Sequence, residues 1–324
     1  VRVCESPARD ALRLVVWYPL RFLVERLPPR LGFAVLRLLG RLHAAASRGR
    51  RGRALAAVSR LRPDLPEPAR RQQARAAFET HYANQLSIFV FPRITPDNFA
   101  QVLEIKGREH LDAALAAGRG AVLPIGHFGP TQLPLTVLGL LGYPMLQIGF
   151  LNDAGLSFIG RHVAVRLRRR YEGRIPARIV PPGPGTRQAL AHLRAGGVVM
   201  TTLDDAPGQP PFGRHATFAF PGGALRAPLG PARLALSSGA ALCPAFLVPG
   251  KATPYRLRLE APLAPPPGAD KAAAAMALST ELLARYAAVV RDDPGWWHLL
   301  EAHGAPGAPA IPNIPDIPDI PNVP

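Results

Sequence analysis

The run GAVLPIG (120–126) leads into Gly126-His127-Phe128-Gly129, and Pro130 opens the next segment. That order puts His127 at the carboxyl end of a strand beside a helix start, where open α/β sheets place their ligands. A neutral imidazole there can take a proton from a hydroxyl. The flanking glycines permit a tight turn, and Gly129 allows substrate atoms to approach the backbone closely. A histidine beside a core strand also has a purely structural reading, so its setting decides between the two. Arg214 in a Phe-Gly-Arg turn and Arg226 beyond the pair Gly222-Gly223 are the next candidates. Guanidinium groups beside the backbone N–H groups of a glycine turn such as Gly223 can hold a phosphate. The competing reading is a salt bridge from either arginine to Asp204 or Asp205. No GxSxG elbow, P-loop, HExxH or complete dinucleotide fingerprint occurs. No metal site and no cofactor are expected.

The elements that must position His127 alternate along the chain. VLEIKG (102–107), GAVLPIG (120–126), PMLQIGF (144–150), VVMTTL (198–203) and LCPAFLV (242–248) read as strands. HLDAALAAG (110–118), LPLTVLGLLG (133–142), RQALAHLRAG (187–196) and PARLALSSG (231–239) read as helices between them. The expected fold is α/β, with a central mixed, mostly parallel sheet flanked by helices. Residues 121–152 contain no Asp, Glu, Lys or Arg, but Gly126, Pro130, Pro134, Gly142 and Pro144 cut them into pieces too short for a spanning helix.

The 324 residues carry a net charge of +17, with lysine only at Lys106, Lys251 and Lys271. An arginine-rich surface points to an anionic partner: lipid headgroups, nucleic acid or a phosphorylated substrate. Nucleic acid is not expected, because the arginines are dispersed through apolar helices and no recognition module is present. Two cysteines exclude a disulfide scaffold. Residues 1–46 form a separate region of N-terminal amphipathic helices. Leu31, Val35, Leu38, Leu39 and Leu42 fall at helical spacing, and Trp17, Tyr18 and Phe22 sit among arginines. The basic-plus-aromatic mixture favours an anionic membrane surface, against the alternative of helices packed only on the core. SRGRRGR (47–53) reads as a basic turn. Arg161, Arg166, Arg168, Arg169 and Arg170 read as a solvated helix face, or else a contact for anionic headgroups or another acidic partner. The main domain spans 47–304. The last segment, 305–324, repeats Ile-Pro-Asn/Asp with a period of three, which matches polyproline II. It reads either as a disordered tail or as an isoleucine edge docked in a groove.

Taken together, several motifs resemble the lysophospholipid acyltransferase superfamily, in its branch of bacterial lipid A and mycobacterial phosphatidylinositol mannoside acyltransferases. Gly107-Arg108-Glu109-His110-Leu111 and Gly118-Arg119-Gly120 lead into the histidine strand. Leu203-Asp204-Asp205 and Pro211 to Thr217 come next, then Pro221-Gly222-Gly223 and Gly230 to Ala235, and finally Asp293-Pro294-Gly295-Trp296-Trp297-His298. The resemblance implies an O-acyltransferase at the cytoplasmic face of a bacterial inner membrane, held peripherally or monotopically. It would move a fatty acyl group from acyl carrier protein or acyl coenzyme A to a hydroxyl of a lipid or glycolipid, with His127 as base.

The family signature places a carboxylate five residues after the histidine, and Gln132 stands there instead. Its amide can accept from the imidazole N–H but brings no charge, and an acid-to-amide change in a serine-protease triad costs about 10⁴ in rate. Three outcomes stay open. Asp204 or Asp205, a region from which the mycobacterial branch draws a carboxylate, orients His127; the acceptor is acidic enough to need less help; or catalysis has lapsed and the fold binds lipid or acyl carrier. The candidate catalytic set is therefore His127, Gln132, Asp204 and Asp205, and the candidate substrate contacts are Gly129, Arg214, Gly223 and Arg226.

Overall fold

A computed structural model describes residues 6–149, 155–205 and 212–303. The Ile-Pro-Asn/Asp segment lies outside them. Five helices come first: α1 (Pro7–Val15), α2 (Arg21–Val24), α3 (Pro29–Ala46), α4 (Arg48–Leu61) and α5 (Glu67–Leu86). Ser6 caps α1 by accepting from the Arg9 N–H, and Pro7 takes the first helical position, where no N–H is required. A wide five-residue turn, Val16–Leu20, joins α1 to α2 and contains Pro19, whose missing donor such a turn accommodates. On α3 the core face is Phe33, Leu36, Gly40 and Ala44. Leu31, Leu38 and Leu42, three members of the stripe read from the sequence, are exposed. Gly40 sets that choice: a Cβ there would lie 2.6 Å from Glu79 Cα and Phe78 O, so only glycine lets α3 approach α5 this closely.

SRGRRGR is not a turn. Its arginines form the first turns of α4, whose buried residues Ala54, Ala57, Val58 and Leu61 anchor the helix. Arg51 Nη1 donates to the Ala44 carbonyl at 2.8 Å and Arg50 pairs with Glu301 at 3.1 Å. Tertiary contacts thus overcome the weak propensity of Gly49 and Gly52.

The alternating part then runs β1 (Leu103–Lys106), α6 (Arg108–Ala116), β2 (Ala121–Ile125), α7 (Leu133–Leu140), β3 (Met145–Ile148), α8 (Arg166–Glu172), β4 (Arg178–Val180), α9 (Pro184–Arg194) and β5 (Val198–Thr202). After it come β6 (His215–Phe220), β7 (Gly223–Pro228), α10 (Gly230–Ser238), β8 (Ala241–Leu242), β9 (Ala245–Pro249), β10 (Tyr255–Leu259) and α11 (Lys271–Asp292). The central sheet is all parallel, ordered β4-β3-β5-β2-β8; a mixed sheet β1-β10-β9 and the hairpin β6-β7 complete the fold. LCPAFLV (242–248) does not form one strand: at Cys243-Pro244 the chain leaves the central sheet as β8 and joins the mixed one as β9.

Every residue of β2 is buried, as expected where helices cover both faces of a parallel sheet. Val122, Leu146 and Val199 face a core shared with α4, α9, α10 and α11. Ala121, Leu123, Ile125 and Met200 face a second core shared with α3, α6, α7 and β9. Pro124 is an unusual resident of a central strand. The β8 side of β2 is served by the carbonyls of Gly120 and Val122, and β8 stops opposite Val122. By strand alternation the donor that Pro124 lacks would have pointed to that same side, past the end of β8. Of the described helices, α11 alone is long and apolar enough to cross a membrane, yet 56% of its apolar window is buried. Leu278, Leu282, Tyr286 and Val290 make it a core helix here.

Candidate active site

β2 and β5 are hydrogen-bonded neighbours, with Ile125 opposite Thr202. Two residues past each strand end stand His127 and Asp204. His127 Nδ1 lies 2.8 Å from Asp204 Oδ1, and the His127 backbone N–H donates to the same oxygen at 2.8 Å. The other oxygen, Oδ2, accepts from Tyr286 O–H at 2.8 Å and from Trp297 Nε1–H at 2.9 Å. A fully buried carboxylate is stable only when so satisfied, and Asp204 has 0% side-chain exposure. Burial works to raise its pKa, but the charge of His127 and the bonds from His127 and Trp297 outweigh that and hold the carboxyl below its ordinary value. For His127, burial pulls downward, while the charge and hydrogen bonds of Asp204 win and raise the imidazole above 6.5. Since a carboxylate only accepts, the Nδ1 proton faces Asp204 and Nε2 keeps its lone pair. The histidine side chain is 21% exposed, so the pair has one buried end and one accessible end.

The local sequence makes this geometry possible. A Cβ at Gly126 would lie 2.1 Å from Tyr286 Cζ, so the glycine admits the tyrosine beneath the loop. Gly129 takes φ 64°, and both of its backbone groups are engaged: its N–H donates to Trp296 O at 3.0 Å and its carbonyl accepts from His298 Nε2 at 2.7 Å. His298 N–H in turn donates to His127 O at 2.9 Å. Residues 293–298 thus strap the histidine loop from above. Burial pushes His298 down to about 4, which suits a neutral ring donating from Nε2. On the far side, Asn84 Oδ1 accepts from Thr131 N–H at 3.1 Å.

Of the two carboxylates left open by the sequence, Asp204 bonds His127. Asp205 turns to a second histidine, with its Oδ2 2.8 Å from His215 Nε2, while His215 Nδ1 lies 3.0 Å from Gly213 O. Gln132 does not meet the imidazole. It stands at the N-cap position of α7 without a side-chain cap bond, and its Nε2 lies 3.5 Å from Glu172 Oε1; the Nδ1 proton that its amide could have accepted faces Asp204. At Gly129 the strap engages both backbone polar groups. Gly223, at φ 143°, follows the Pro221-Gly222 turn and opens β7, opposite Phe220. Arg214 precedes β6, its carbonyl accepting from Leu229 N–H at 2.9 Å. Arg226 stands opposite Thr217 on the hairpin, and its Nη1 is buried without a hydrogen-bond partner among the described residues; Asp204 and Asp205 bond histidines instead. Arg161, Arg166, Arg169 and Arg170 are exposed, whereas Arg168 pairs with Glu172 at 2.9 Å.

Sequence reasoning missed Tyr286 and Glu172, and it quoted His215 within the Pro211–Thr217 motif without a role. Tyr286 is a lone tyrosine in an alanine-rich helix and gives no local signal. Trp297 and His298 fall inside the closing motif already singled out, without a role being assigned to them there.

The family model for bacterial lipid A biosynthesis acyltransferase matches residues 7–303. Phosphatidylinositol mannoside acyltransferases from two Mycobacterium tuberculosis strains, H37Rv and CDC 1551, are each 27% identical over 252 residues, covering 70% of this chain and 68% of theirs.

Proposed function

Because the chain belongs to the bacterial lipid A biosynthesis acyltransferase family, and is therefore an acyltransferase acting on lipids, we propose that it esterifies a hydroxyl of a lipid or glycolipid from an acyl thioester, with His127 as general base. Nε2 takes the proton of the acceptor hydroxyl as its oxygen attacks the thioester carbonyl. The tetrahedral intermediate collapses with loss of the thiolate, which the imidazolium reprotonates, so that ester and thiol leave and the base is restored. Asp204 holds the ring in its tautomer and stabilises the imidazolium, as the acid of a Ser-His-Asp triad does. Acyl carrier protein and acyl coenzyme A both carry a phosphate beside the thioester arm, and Arg226, with its buried unpartnered Nη1, is suited to that phosphate.

The observation that carries the reading is the pairing of an accessible imidazole with a fully buried, four-fold hydrogen-bonded carboxylate. It answers the missing charge at Gln132 and supports catalysis over a lapsed, lipid- or carrier-binding role. Leu12, Val15, Tyr18, Phe22 and Leu23 are exposed along the α1–α2 segment, as are Leu31, Leu38 and Leu42 on α3. Large apolar side chains beside exposed arginines suit an anionic bilayer surface, and an acyl carrier donor suits its cytoplasmic face.

The test is transfer of a labelled acyl group from acyl carrier protein and from acyl coenzyme A into a membrane lipid extract, with the products read by mass spectrometry. An ester formed by the wild type and absent with His127→Ala is expected. Equal turnover by the two proteins would remove the histidine from the mechanism.

A further inference from the structure

Phe158 is 73% exposed, more than any other large apolar side chain among the described residues. Exposed apolar residues scattered singly are normal, but this one is not placed singly. Its neighbour Ser157 is held by α1: Ser157 Oγ donates to Asp10 Oδ1 at 2.6 Å and accepts from Arg13 Nη1 at 3.0 Å, while Arg13 also donates to Asp10 at 2.8 Å. Gly160 N–H donates to the same Ser157 Oγ at 2.9 Å. A Cβ at Gly160 would lie 2.9 Å from Arg13 Nη1, so the glycine leaves room for that guanidinium. Phe158 therefore stands beside α1, whose Leu12 and Val15 are exposed. A second tie joins α2 to the end of α8. Arg21 Nη1 donates to Tyr171 Oη at 2.8 Å, and Tyr171 O–H donates to Glu25. The N-terminal helices and residues 156–172 are thus fastened to each other at two points.

The outer side of this arm carries charge of one sign. From 155 to 171 the chain has no Asp or Glu. Arg161, Arg166 and Arg170 are exposed along the wide turn Gly160–Val165 and α8, and the His162 ring lies against Phe158 with centroids 4.5 Å apart. Arg168 behaves differently, bonding Glu172 and the Gln85 carbonyl. An exposed aromatic ring among arginines, with no acid between them, is the composition of a helix that lies in a bilayer interface.

We infer that residues 156–170 form a second membrane-contact arm: Phe158 enters the acyl boundary of an anionic bilayer, and Arg161, Arg166 and Arg170 meet its headgroup phosphates, beside the contact made by α1 and α2. The inference rests on the membrane-surface reading above and goes beyond it by adding a segment of the α/β domain. A body held at one helix can roll about that helix; a second contact fixes its orientation. Arg168 links the arm to Gln85, whose neighbour Asn84 holds Thr131 of the histidine loop, so the arm orients that loop as well.

The experiment is co-sedimentation with vesicles of phosphatidylcholine and phosphatidylglycerol in equal parts, and with phosphatidylcholine alone. Wild type is expected to bind the anionic vesicles and to lose most of that binding at about 1 M salt, where the screening length is ~3 Å. Phe158→Ser is expected to weaken binding about tenfold without a change in thermal melting. Arg161→Gln, Arg166→Gln and Arg170→Gln together are expected to weaken it about a hundredfold on the anionic vesicles and not on phosphatidylcholine alone. Phe22→Ser on α2 is the reference. If it lowers binding while the Phe158 and arginine variants bind like wild type, the arm is no membrane contact although the membrane reading stands. If wild type binds neither vesicle, both fall together. Arginine variants that keep vesicle binding but lose transfer from acyl carrier protein, and not from acyl coenzyme A, would give the face to an acidic protein and overturn the inference.

Discussion

Two adjacent aspartates serve two histidines at the same 2.8 Å distance, with burial reversed. In one pair the carboxylate is fully buried and the histidine reaches solvent; in the other His215 is 1% exposed and Asp205 34%. The first leaves an imidazole nitrogen free for chemistry. The second engages both ring nitrogens, one with Asp205 and one with the Gly213 carbonyl, and so ties the residues after β5 to the start of β6. A histidine–carboxylate distance therefore says little about function. What separates a base from a strut is which partner faces water and whether a nitrogen is left over.

The hardest test of this contrast is His127→Ala, expected to lower kcat/KM by about 10⁴ without loss of fold, as judged by thermal melting. Asp204→Asn is expected to cost up to about 10⁴, as an acid-to-amide change does in a serine-protease triad, and to change the pH profile as well. Asp204 holds the imidazole above 6.5, and the base works only when Nε2 is unprotonated. Wild-type activity therefore rises with pH through that raised value, and in the variant the rise moves to lower pH. Stability follows the opposite sign for the two partners. The depressed Asp204 contributes above its unfolded value and loses that contribution as pH falls through its folded one; the raised His127 contributes at low pH and loses it as pH climbs through its own.

Tyr286→Phe removes one of the two donors to Oδ2 while keeping the ring that fills the space under Gly126. About a tenfold loss of kcat is expected, with fluorescence-monitored melting close to wild type. Asp205→Ala is the smallest of these in activity, within about threefold, but leaves Nε2 of buried His215 without its acceptor and costs about 1–3 kcal/mol of stability in denaturant titration. A collapse of turnover in Asp205→Ala as deep as that in Asp204→Asn would erase the distinction between base and strut.

The alternation of strands and helices was legible because each buried strand is an apolar run bounded by glycine or proline, and His127 was legible because it stands where such a run ends. Which of Asp204 and Asp205 would meet it was not. Past a strand end the chain has left the two-residue alternation that fixes side-chain direction, and the choice depends on Tyr286 and Trp297, 82 and 93 residues later. The direction of the α3 stripe was not legible for a similar reason. Leucines at helical spacing mark a face without saying which way it looks, and the buried face was set by Gly40 against α5. The first turns of α4 were hidden by their own glycines, since only the distant Glu301 and the preceding Ala44 carbonyl show why a helix forms there.

The strap over the histidine loop also governs when the protein acquires its chemistry. β2 must wait for β5 and β8, and the His127 carbonyl gains its hydrogen bond only from His298 N–H, 171 residues further along the chain. At ribosomal speeds of about 5–20 residues per second, that delay is on the order of ten seconds or more. During synthesis the nascent chain therefore carries His127 as an ordinary histidine. The loop and its Asp204 partner gain their last hydrogen bonds only once residues 293–298 have emerged, so the site is completed after every strand of the central sheet has been made.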